Sequence, residues 1–191
     1  VFLLLFGAGF LFSPETLAQS SAVATVQTVD LKRYSGKWYE IAKFPNKFQK
    51  KCVGNTTAEY ILEPDGGIKV TNRCLKQDGK TDEATGRAKI EDKRTNAKLG
   101  VRFAPAFLKF LPRVWGNYWI LDLDADYRYA AVGDPDRKYL WILSRTPELD
   151  DATYQQILRR VEKMGFEPNR LIKTPQKLET LKGTVIQTQN R

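Results

Sequence analysis

Residues 36–42 read GKWYEIA and place two large aromatic side chains next to each other shortly after a glycine. Neighbouring residues of a β-strand point to opposite faces of the sheet. If this stretch is a strand, Trp38 and Tyr39 cannot both enter one core, so the segment has two distinct faces. One face carries Trp38, Glu40 and Ala42, and the other carries Tyr39 and Ile41.

From residue 36 to residue 145 the chain alternates between short β-like runs and clusters of turn-forming residues. Eight strands are predicted, at 36–43, 53–63, 68–75, 82–92, 97–103, 116–123, 127–132 and 139–145. Tight turns (64–67, 93–96, 124–126) alternate with longer links (44–52, 76–81, 104–115, 133–138). Successive links between antiparallel neighbours fall at opposite ends. The pattern therefore predicts an all-β fold, an eight-stranded antiparallel up-and-down β-barrel with a tight base and a loop-rimmed mouth.

A helical pattern appears only after residue 145. Asp150 is a good N-cap, and apolar residues recur at helical spacing from Tyr154 to Val161 until Gly165 ends the run. We predict one C-terminal α-helix packed on the outside of the barrel, followed by a short strand at 168–173. The folded domain is expected to span 29–175, with a polar C-terminal tail at 176–191.

The first twelve residues, VFLLLFGAGFLF, are apolar and precede a small and polar stretch. They are too few to span a bilayer, which takes about 20 apolar residues. The pattern is typical of the hydrophobic and cleavage regions of a secretory signal. We predict a signal peptide at 1–18, N-terminally truncated and with cleavage after Ala22 as the alternative, and hence a secreted or periplasmic protein. A buried N-terminal helix is the competing interpretation.

Two cysteines, Cys52 and Cys74, occur in the chain. One disulfide is stable in an oxidising compartment and contributes ~3 kcal/mol for a loop of this size. Both cysteines fall at the mouth end of one predicted hairpin, but an ideal register would pair Cys74 with a residue near Thr57. A Cys52–Cys74 disulfide therefore needs a bulge or bend, and two free buried thiols are the alternative.

The chain carries 31 Lys and Arg against 22 Asp and Glu, a net charge of +9. This excess favours anionic partners such as a membrane surface, nucleic acid or an acidic polymer, without choosing among them. The absence of histidine excludes His-activated nucleophiles, two-His metal sites and a proximal-His haem. No Walker or dinucleotide glycine motif is present, so we expect no metal, no cofactor and no enzyme activity.

Several motifs together resemble the lipocalin family, and in particular its bacterial lipocalin and apolipoprotein D branch. They are Gly36-x-Trp38-Tyr39, the DGG turn at 65–67, Asp126-Tyr127 within DADYRYAAV, and Arg145 within YLWILSRTP just before the capped helix. The resemblance covers 29–175. It implies a calyx that binds and transports small hydrophobic ligands, in this branch fatty acids or lysophospholipids. We expect a role in membrane maintenance or stress.

Trp38 and Arg145 are predicted to meet at the base of the barrel. The first strand begins at the base and the eighth ends there, and the two strands are neighbours in a closed barrel. An Arg over an indole is a cation–π contact worth ~0.5–2 kcal/mol. The resemblance also implies a folding role for this pair.

The interior of the barrel is the expected ligand site. Residues two apart on a strand face the same side, so Tyr139, Trp141 and Leu143 should point inward with Arg145. Trp141 is the strongest single candidate for a ligand contact. Glu40 is expected above the base, where a buried charge needs a partner or a raised pKa. We expect it to supply a polar ligand contact, with a salt bridge to a barrel Arg as the alternative. Further candidates of ambiguous parity are Tyr60, Val70, Ile90, Phe103, Tyr118 and Tyr129.

The link from Phe103 to Trp115 is unusually apolar for a mouth loop and adds Phe107 as a candidate ligand contact. Lys43, Lys47, Lys50 and Lys51 are expected at the same rim. Apolar and basic groups together suit transient contact with an anionic membrane surface. A loop folded over the cavity as a lid is the alternative.

Two other functional classes are weighed against a binding protein. A lipocalin-like enzyme acting on a bound lipid or pigment would need Glu40 or another pocket carboxylate beside a tyrosine as acid and base. A basic β-barrel could bind single-stranded nucleic acid through aromatic stacking, but secretion and inward-facing aromatics argue against it. We expect a monomer or weak dimer that binds no nucleic acid.

Overall fold

A computed structural model describes residues 22–103, 115–181 and 184–187, with 178–181 and 184–187 described through their backbone. The barrel strands are β1 (Gly36–Lys43), β2 (Cys52–Leu62), β3 (Ile68–Lys76), β4 (Thr81–Ile90), β5 (Lys98–Arg102), β6 (Gly116–Leu123), β7 (Tyr129–Gly133) and β8 (Leu140–Ser144). Each predicted strand is present, with boundaries displaced by at most two residues. β1 pairs with both β2 and β8, so the eight antiparallel strands close into a barrel.

The connections alternate between the two ends as predicted. The base carries the turns at 63–67, 91–97 and 124–128, which consist mainly of charged, polar and glycine residues. Asp92, for example, accepts hydrogen bonds from the Arg94 amide (3.0 Å) and the Thr95 hydroxyl (2.8 Å). The mouth carries the links at 44–51, 77–80 and 134–139, together with the link after β5, of which 104–114 lie outside the described residues.

Buried apolar residues form two separate clusters, one on each face of the barrel wall. The interior cluster includes Trp38, Tyr60, Val70, Leu99, Tyr118 and Leu143. The outer cluster lies beneath a C-terminal helix, α2 (Asp151–Lys163), and includes Phe44, Ile142, Tyr154, Ile157 and Val161. The predicted helix is confirmed, since the Asp150 side chain caps it by accepting from the Thr153 amide at 2.9 Å.

A β-bulge in β1 reverses the side of the sheet that its last residues face, compared with the prediction. Glu40 is opposite Leu143 and Ala42 is opposite Ile142, so one extra residue of β1 lies between these two pairs. Trp38 and Glu40 stay on the inner side, but Ala42 turns outward into the cluster beneath α2. The predicted inward position of Ala42 is therefore wrong, because strict alternation ends at the bulge.

A second irregularity brings the two cysteines together. The β2–β3 register shifts twice between Cys52 and Thr57, which accommodates extra residues of β2. Thr57 is opposite Arg73, close to the ideal pairing expected from the sequence. The Cys52–Cys74 disulfide is formed, with the two Cα atoms 5.6 Å apart.

The chain after α2 departs from the prediction of a strand at 168–173. A short 3-10 helix occupies Pro168–Arg170, and only Ile172–Lys173 (β9) forms a strand, antiparallel to β1. Proline lacks an amide proton and favours the first turn of a helix, which accounts for the replacement of the strand's first half. Strands β10 (Leu178–Leu181) and β11 (Thr184–Gln187) then form a small separate hairpin within the predicted tail.

The segment after β9 helps to close the barrel near the mouth. Direct β1–β2 pairing is recorded from Gly36 to Tyr39 of β1, and beyond this the C-terminal segment lies along β1. The Thr174 amide donates to the Ile41 carbonyl, and the Asn55 amide of β2 donates to the Pro175 carbonyl. The Gln176 side chain then donates to the carbonyls of both Glu40 and Thr56 (2.8 and 3.0 Å), which joins β1 to β2.

Candidate ligand-binding site

Trp38 and Arg145 seal the base of the barrel. Trp38 is fully buried, and the Arg145 Cζ lies 3.8 Å from the centroid of the Trp38 ring. The guanidinium also donates to the carbonyls of Arg33 (2.6 Å) and Lys37 (2.9 Å). Gly36 has a φ of +94° and an ideal Cβ there would lie 3.4 Å from Arg145 Nη1, so glycine suits both the backbone and the contact.

The second motif stabilises this base from the β6–β7 turn. The Tyr127 carbonyl accepts a hydrogen bond from Arg145 Nε at 3.3 Å, and the Tyr127 hydroxyl accepts one from the Asp30 amide at 2.8 Å. Asp126 contributes its amide, which donates to Asp124 Oδ2. Asp124 was not singled out from the sequence, yet its carboxylate also binds the Arg128 guanidinium at 2.8 Å, so it is the side chain that organises the turn.

Three buried tyrosines form a hydrogen-bonded cluster inside the lower half of the barrel. The Tyr118 hydroxyl is 2.7 Å from that of Tyr34 and 2.8 Å from that of Tyr60. Tyr60 and Tyr118 were predicted to face inward, and they do. Tyr34 was missed because it lies before the first predicted strand, on a short helix, α1 (Leu31–Tyr34), that Asp30 caps by accepting from the Lys32 amide. The sequence did contain a signal for this helix, since Asp30 is a residue type that favours N-caps and Tyr34 follows it within one turn.

Burial keeps these three phenols protonated. It raises the pKa of Tyr60 to about 12 and raises the pKa values of Tyr34 and Tyr118 well above the ordinary range for tyrosine. Three hydroxyl groups carry three protons, and their two mutual hydrogen bonds use two of them. No acceptor among the described residues receives the third, so the cluster can donate one hydrogen bond to a polar group of a ligand.

Glu40 is buried inside the upper half of the wall, and protein donors engage its carboxylate. Lys43 Nζ lies 2.8 Å from Oε1, the Thr174 hydroxyl donates to the same oxygen at 2.6 Å, and the Gln49 amide donates to Oε2. Glu40 therefore forms a salt bridge, as the alternative expected, but its partner is Lys43 and not a barrel Arg. Lys43 is itself buried in this pair, so its expected place at an exposed basic rim is wrong.

Gln49 links Glu40 to Trp141 at the mouth. The Trp141 indole donates to Gln49 Oε1 at 3.1 Å, while the Gln49 amide holds Glu40. Trp141 packs against the interior cluster, and Tyr139 stacks on it with ring centroids 5.7 Å apart and planes 15° apart. The prediction that Trp141 and Tyr139, at the start of β8, point inward is therefore confirmed. A single glutamine in a loop gave no sequence signal for its role.

The other predicted lining residues divide between the two faces. Val70 and Leu143 belong to the interior cluster, and Ile90 packs against it. Tyr129 instead lies beneath α2, where its hydroxyl accepts from Arg160 at 2.7 Å. The predicted inward position of Tyr129 is wrong because every residue of β7 is buried, so apolar character could not distinguish its two faces.

At the mouth end of β5, Phe103 is 44% exposed. An ideal Cβ at Gly86 would lie 2.4 Å from the Arg102 carbonyl oxygen and 2.7 Å from the Phe103 ring, so a glycine lets β4 approach this end of β5 closely. Phe107 and most of the apolar link that follows fall in 104–114, outside the described residues. The predictions made for them therefore stay predictions.

The interior of the barrel is apolar, with a few polar side chains. Within the described part of the chain, no group of three or more acidic, Cys or His side chains could hold a metal ion. The interior combines an apolar wall, a tyrosine cluster at the base and an indole at the mouth. In the same described ranges, no helix has the length and apolarity needed to cross a membrane.

A closed eight-stranded calyx, sealed at one end by an Arg–Trp pair and flanked by one long helix, defines a class of barrels that bind small ligands in their interior. The lipocalin-like domain family matches residues 29–176, which is most of the chain. This protein belongs to that family, whose members in general bind small hydrophobic ligands.

Relatives with related sequences come from plants, bacteria and animals. Temperature-induced lipocalin-1 of Arabidopsis thaliana is 42% identical over 84% of this chain and 86% of its own length. The outer membrane lipoprotein Blc of Citrobacter freundii is 42% identical over 78% and 81%. Apolipoprotein D of Mus musculus is 32% identical over 78% of each chain. The predicted branch of the family is therefore confirmed.

Solved structures share the fold at lower identity. Insecticyanin from the tobacco hornworm Manduca sexta superposes with a TM-score of 0.64 at 21% identity, over 89% of this chain and 90% of that one. Apocrustacyanin C2 gives a TM-score of 0.62 at 18% identity, over 78% and 81%. These likenesses confirm the eight-stranded barrel with its outer helix.

Proposed function

We propose that this protein carries a single-chain lipid, a fatty acid or a lysophospholipid, in the interior of its barrel. The observation that supports this most directly is the change in chemical character along the inner wall, from the polar base to the apolar middle. A sealed base and an apolar middle suit an acyl chain, and the tyrosine cluster supplies a polar contact. Trp141, whose N–H is already bonded to Gln49, offers its ring face. The name of one relative, an apolipoprotein, favours lipid over other hydrophobic ligands.

We place this carrier in a secreted or periplasmic setting, close to a membrane. A formed disulfide favours an oxidising compartment, and a net charge of +9 favours proximity to anionic lipid. A relative named for induction by temperature and another named for the outer membrane support a role in membrane maintenance or stress.

The enzyme alternative has no supporting observation at Glu40, the carboxylate named for it. Three protein donors hold the Glu40 carboxylate, and its ion pair with Lys43 is buried. A general base must reach a substrate proton with an available oxygen. Binding without chemistry is therefore the function that the geometry supports best.

The test is lipid capture by the stripped protein. Delipidated protein is incubated with a total lipid extract and examined by native mass spectrometry, and affinity is then measured by displacement of a fluorescent fatty acid. Leu143→Trp, which fills the interior, should weaken binding about tenfold or more, whereas Ile61→Trp on the exposed outer face should not. Urea unfolding of both variants accounts for the ~1–3 kcal/mol cost of overpacking. Recovery of no lipid, sterol or pigment would overturn the proposal.

A further inference from the structure

The first mouth loop, 44–51, holds an exposed aromatic side chain on a well-formed turn. Asn46 Oδ1 accepts from the amides of Phe48 and Gln49, both at 3.1 Å, and Asn46 Nδ2 donates to Gln49 Oε1 at 2.7 Å. This turn directs Phe48 outward, where 67% of the residue is exposed. An apolar side chain presented to water by a hydrogen-bonded turn is a feature of contact surfaces.

A second exposed apolar residue lies across a groove from this loop. Ile172 of β9 is 49% exposed. It lines a groove of about 480 Å³ together with Pro45, Lys47 and Lys50 of the loop. The loop and β9 therefore form one continuous edge of the mouth.

The positive charge of this edge is not neutralised. Lys47, Lys50 and Lys51 are exposed, and none pairs with an acidic side chain of the described residues. The other mouth turns are different, since Asp78 pairs with Lys76 (3.6 Å) and Asp136 with Lys138 (2.9 Å). Of the exposed lysines in the described mouth turns that form no ion pair with a described residue, three lie beside Phe48 and one, Lys80, lies in the 77–80 turn.

Aromatic rings connect the edge to the interior. The Phe48 ring lies 5.6 Å from that of Tyr139, which in turn stacks on Trp141 at 5.7 Å. Trp141 packs against the interior cluster. Three neighbouring rings therefore lead from the exposed edge to the interior cluster.

We propose that a docking edge formed by Lys47, Phe48, Lys50, Lys51 and Ile172 binds the surface of an anionic bilayer, and that Phe48, Tyr139 and Trp141 guide an acyl chain inward. Two apolar side chains among lysines offer far less than the ~800 Å² per partner of a stable protein interface. They suit shallow insertion combined with attraction to anionic headgroups. The edge rests on its own contacts, whereas the guiding role rests on the proposed carrier function.

Vesicle co-sedimentation tests the docking edge. Wild-type protein should bind phosphatidylcholine vesicles that contain phosphatidylglycerol at low salt, and bind vesicles of pure phosphatidylcholine weakly. Phe48→Ser and Ile172→Ser should each weaken binding about fivefold or more. Ile61→Ser is the matched control, because Ile61 has a similar exposure (47%) near the base of the barrel and should not affect binding.

Two double variants distinguish the effect of charge at the docking edge from the effect of the protein's net charge. Lys47→Gln with Lys50→Gln should weaken binding about thirtyfold, because each basic residue near an anionic surface contributes about 1 kcal/mol and about 1.4 kcal/mol is a factor of ten. Lys32→Gln with Lys69→Gln removes the same charge from exposed positions near the base and should have a much smaller effect. Equal losses in the two double variants, or no binding by the wild type, would overturn the docking edge.

Transfer kinetics test the guiding role. A fluorescent lysophospholipid is moved from anionic vesicles to the protein, and Tyr139→Ser should slow its transfer about fivefold relative to Tyr39→Ser on the outer wall. An unchanged rate would overturn this role. The affinity of Ile172→Ser for the same probe in vesicle-free solution should match the wild type. Failure of the wild type to bind the probe in solution would instead overturn the carrier function and leave the docking edge standing.

Discussion

Tyr34, Tyr60 and Tyr118 show how single side chains at the floor of the barrel can combine burial with polarity. Each phenol loses water, and Tyr118 Oη compensates by contacting both of the other hydroxyls. An unpaired buried hydroxyl would cost about 1–3 kcal/mol. The cluster therefore keeps a polar floor in an apolar cup, with one proton available for a ligand.

The tyrosine cluster predicts a loss of stability at high pH. A phenol with a raised pKa in the folded state keeps its proton where the unfolded chain has lost it, so stability is full below pH ~10 and falls toward pH ~12. A pKa of about 12 against 10.0 corresponds to about 2–3 kcal/mol for Tyr60. Tyr60→Phe should lose less stability than the wild type over this range, as measured by urea unfolding.

The control for this prediction is Tyr39→Phe, which removes a hydroxyl from the outer face of β1. Its stability should follow the wild-type pH dependence. If the two variants have the same pH dependence, the buried cluster is not the source of the alkaline loss.

Among the elements, β1 is the one on which the others depend. Its first half pairs with β2 and supports the base, and its second half pairs with β9 after the bulge. Glu40 lies at this transition and joins β1 to the first mouth loop through Gln49 and to the C-terminal segment through Thr174. A carboxylate that the sequence suggested for ligand contact is engaged in holding three elements together.

Glu40→Gln should destabilise the protein by about 3 kcal/mol, because the variant leaves the buried Lys43 ammonium without a countercharge. Urea unfolding measures the loss, and hydrogen exchange should show reduced protection of the Thr174 amide, which donates to the Ile41 carbonyl. Adding Lys43→Met to the variant should recover part of the stability, since it removes the unpaired charge.

A matched control for Glu40 is Glu59→Gln. Glu59 pairs with Arg73 at 3.1 Å, but its side chain is 40% exposed, and exposed pairs contribute at most about 1 kcal/mol. Equal destabilisation by the two substitutions would contradict the assigned role of the buried pair.

At the scale of the whole molecule, two devices hold the mouth end together where strand pairing is irregular. The disulfide joins β2 to β3 beside the shifted register, and residues 174–176 bridge β1 to β2. The base needs neither device, because regular pairing and the Arg145–Trp38 contact close it. Regular strand pairing therefore closes one end, and the other end depends on the disulfide and a few side chains.

Replacing both cysteines, Cys52→Ser with Cys74→Ser, should lower the free energy of unfolding by about 3 kcal/mol, the value expected for a loop of this size. Urea unfolding gives the loss, and wild-type protein in reductant should match the double variant. A reduced protein as stable as the oxidised one would show that the mouth does not need the disulfide.

Much of the fold was predictable because it depends on local patterns. Strand boundaries follow from alternation and turn residues, the α2 cap from Asp150, and the contact of Trp38 with Arg145 from the up-and-down order of the strands. The need for a bulge between Cys52 and Thr57 also followed from counting residues about one turn. These features involve neighbours in sequence, or strand neighbours that closure imposes.

The sequence by itself determined the barrel, its sealed base, its outer helix and its family. Only the tertiary structure decided the outward position of Ala42, the place of Tyr129 beneath α2, the entry of Tyr34 into the interior and the partners of Glu40. The physical reason is that local periodicity does not predict contacts between distant parts of the chain. Ala42 turns outward at a bulge, β7 is buried on both faces, and Thr174 binds Glu40 from 134 residues away in sequence.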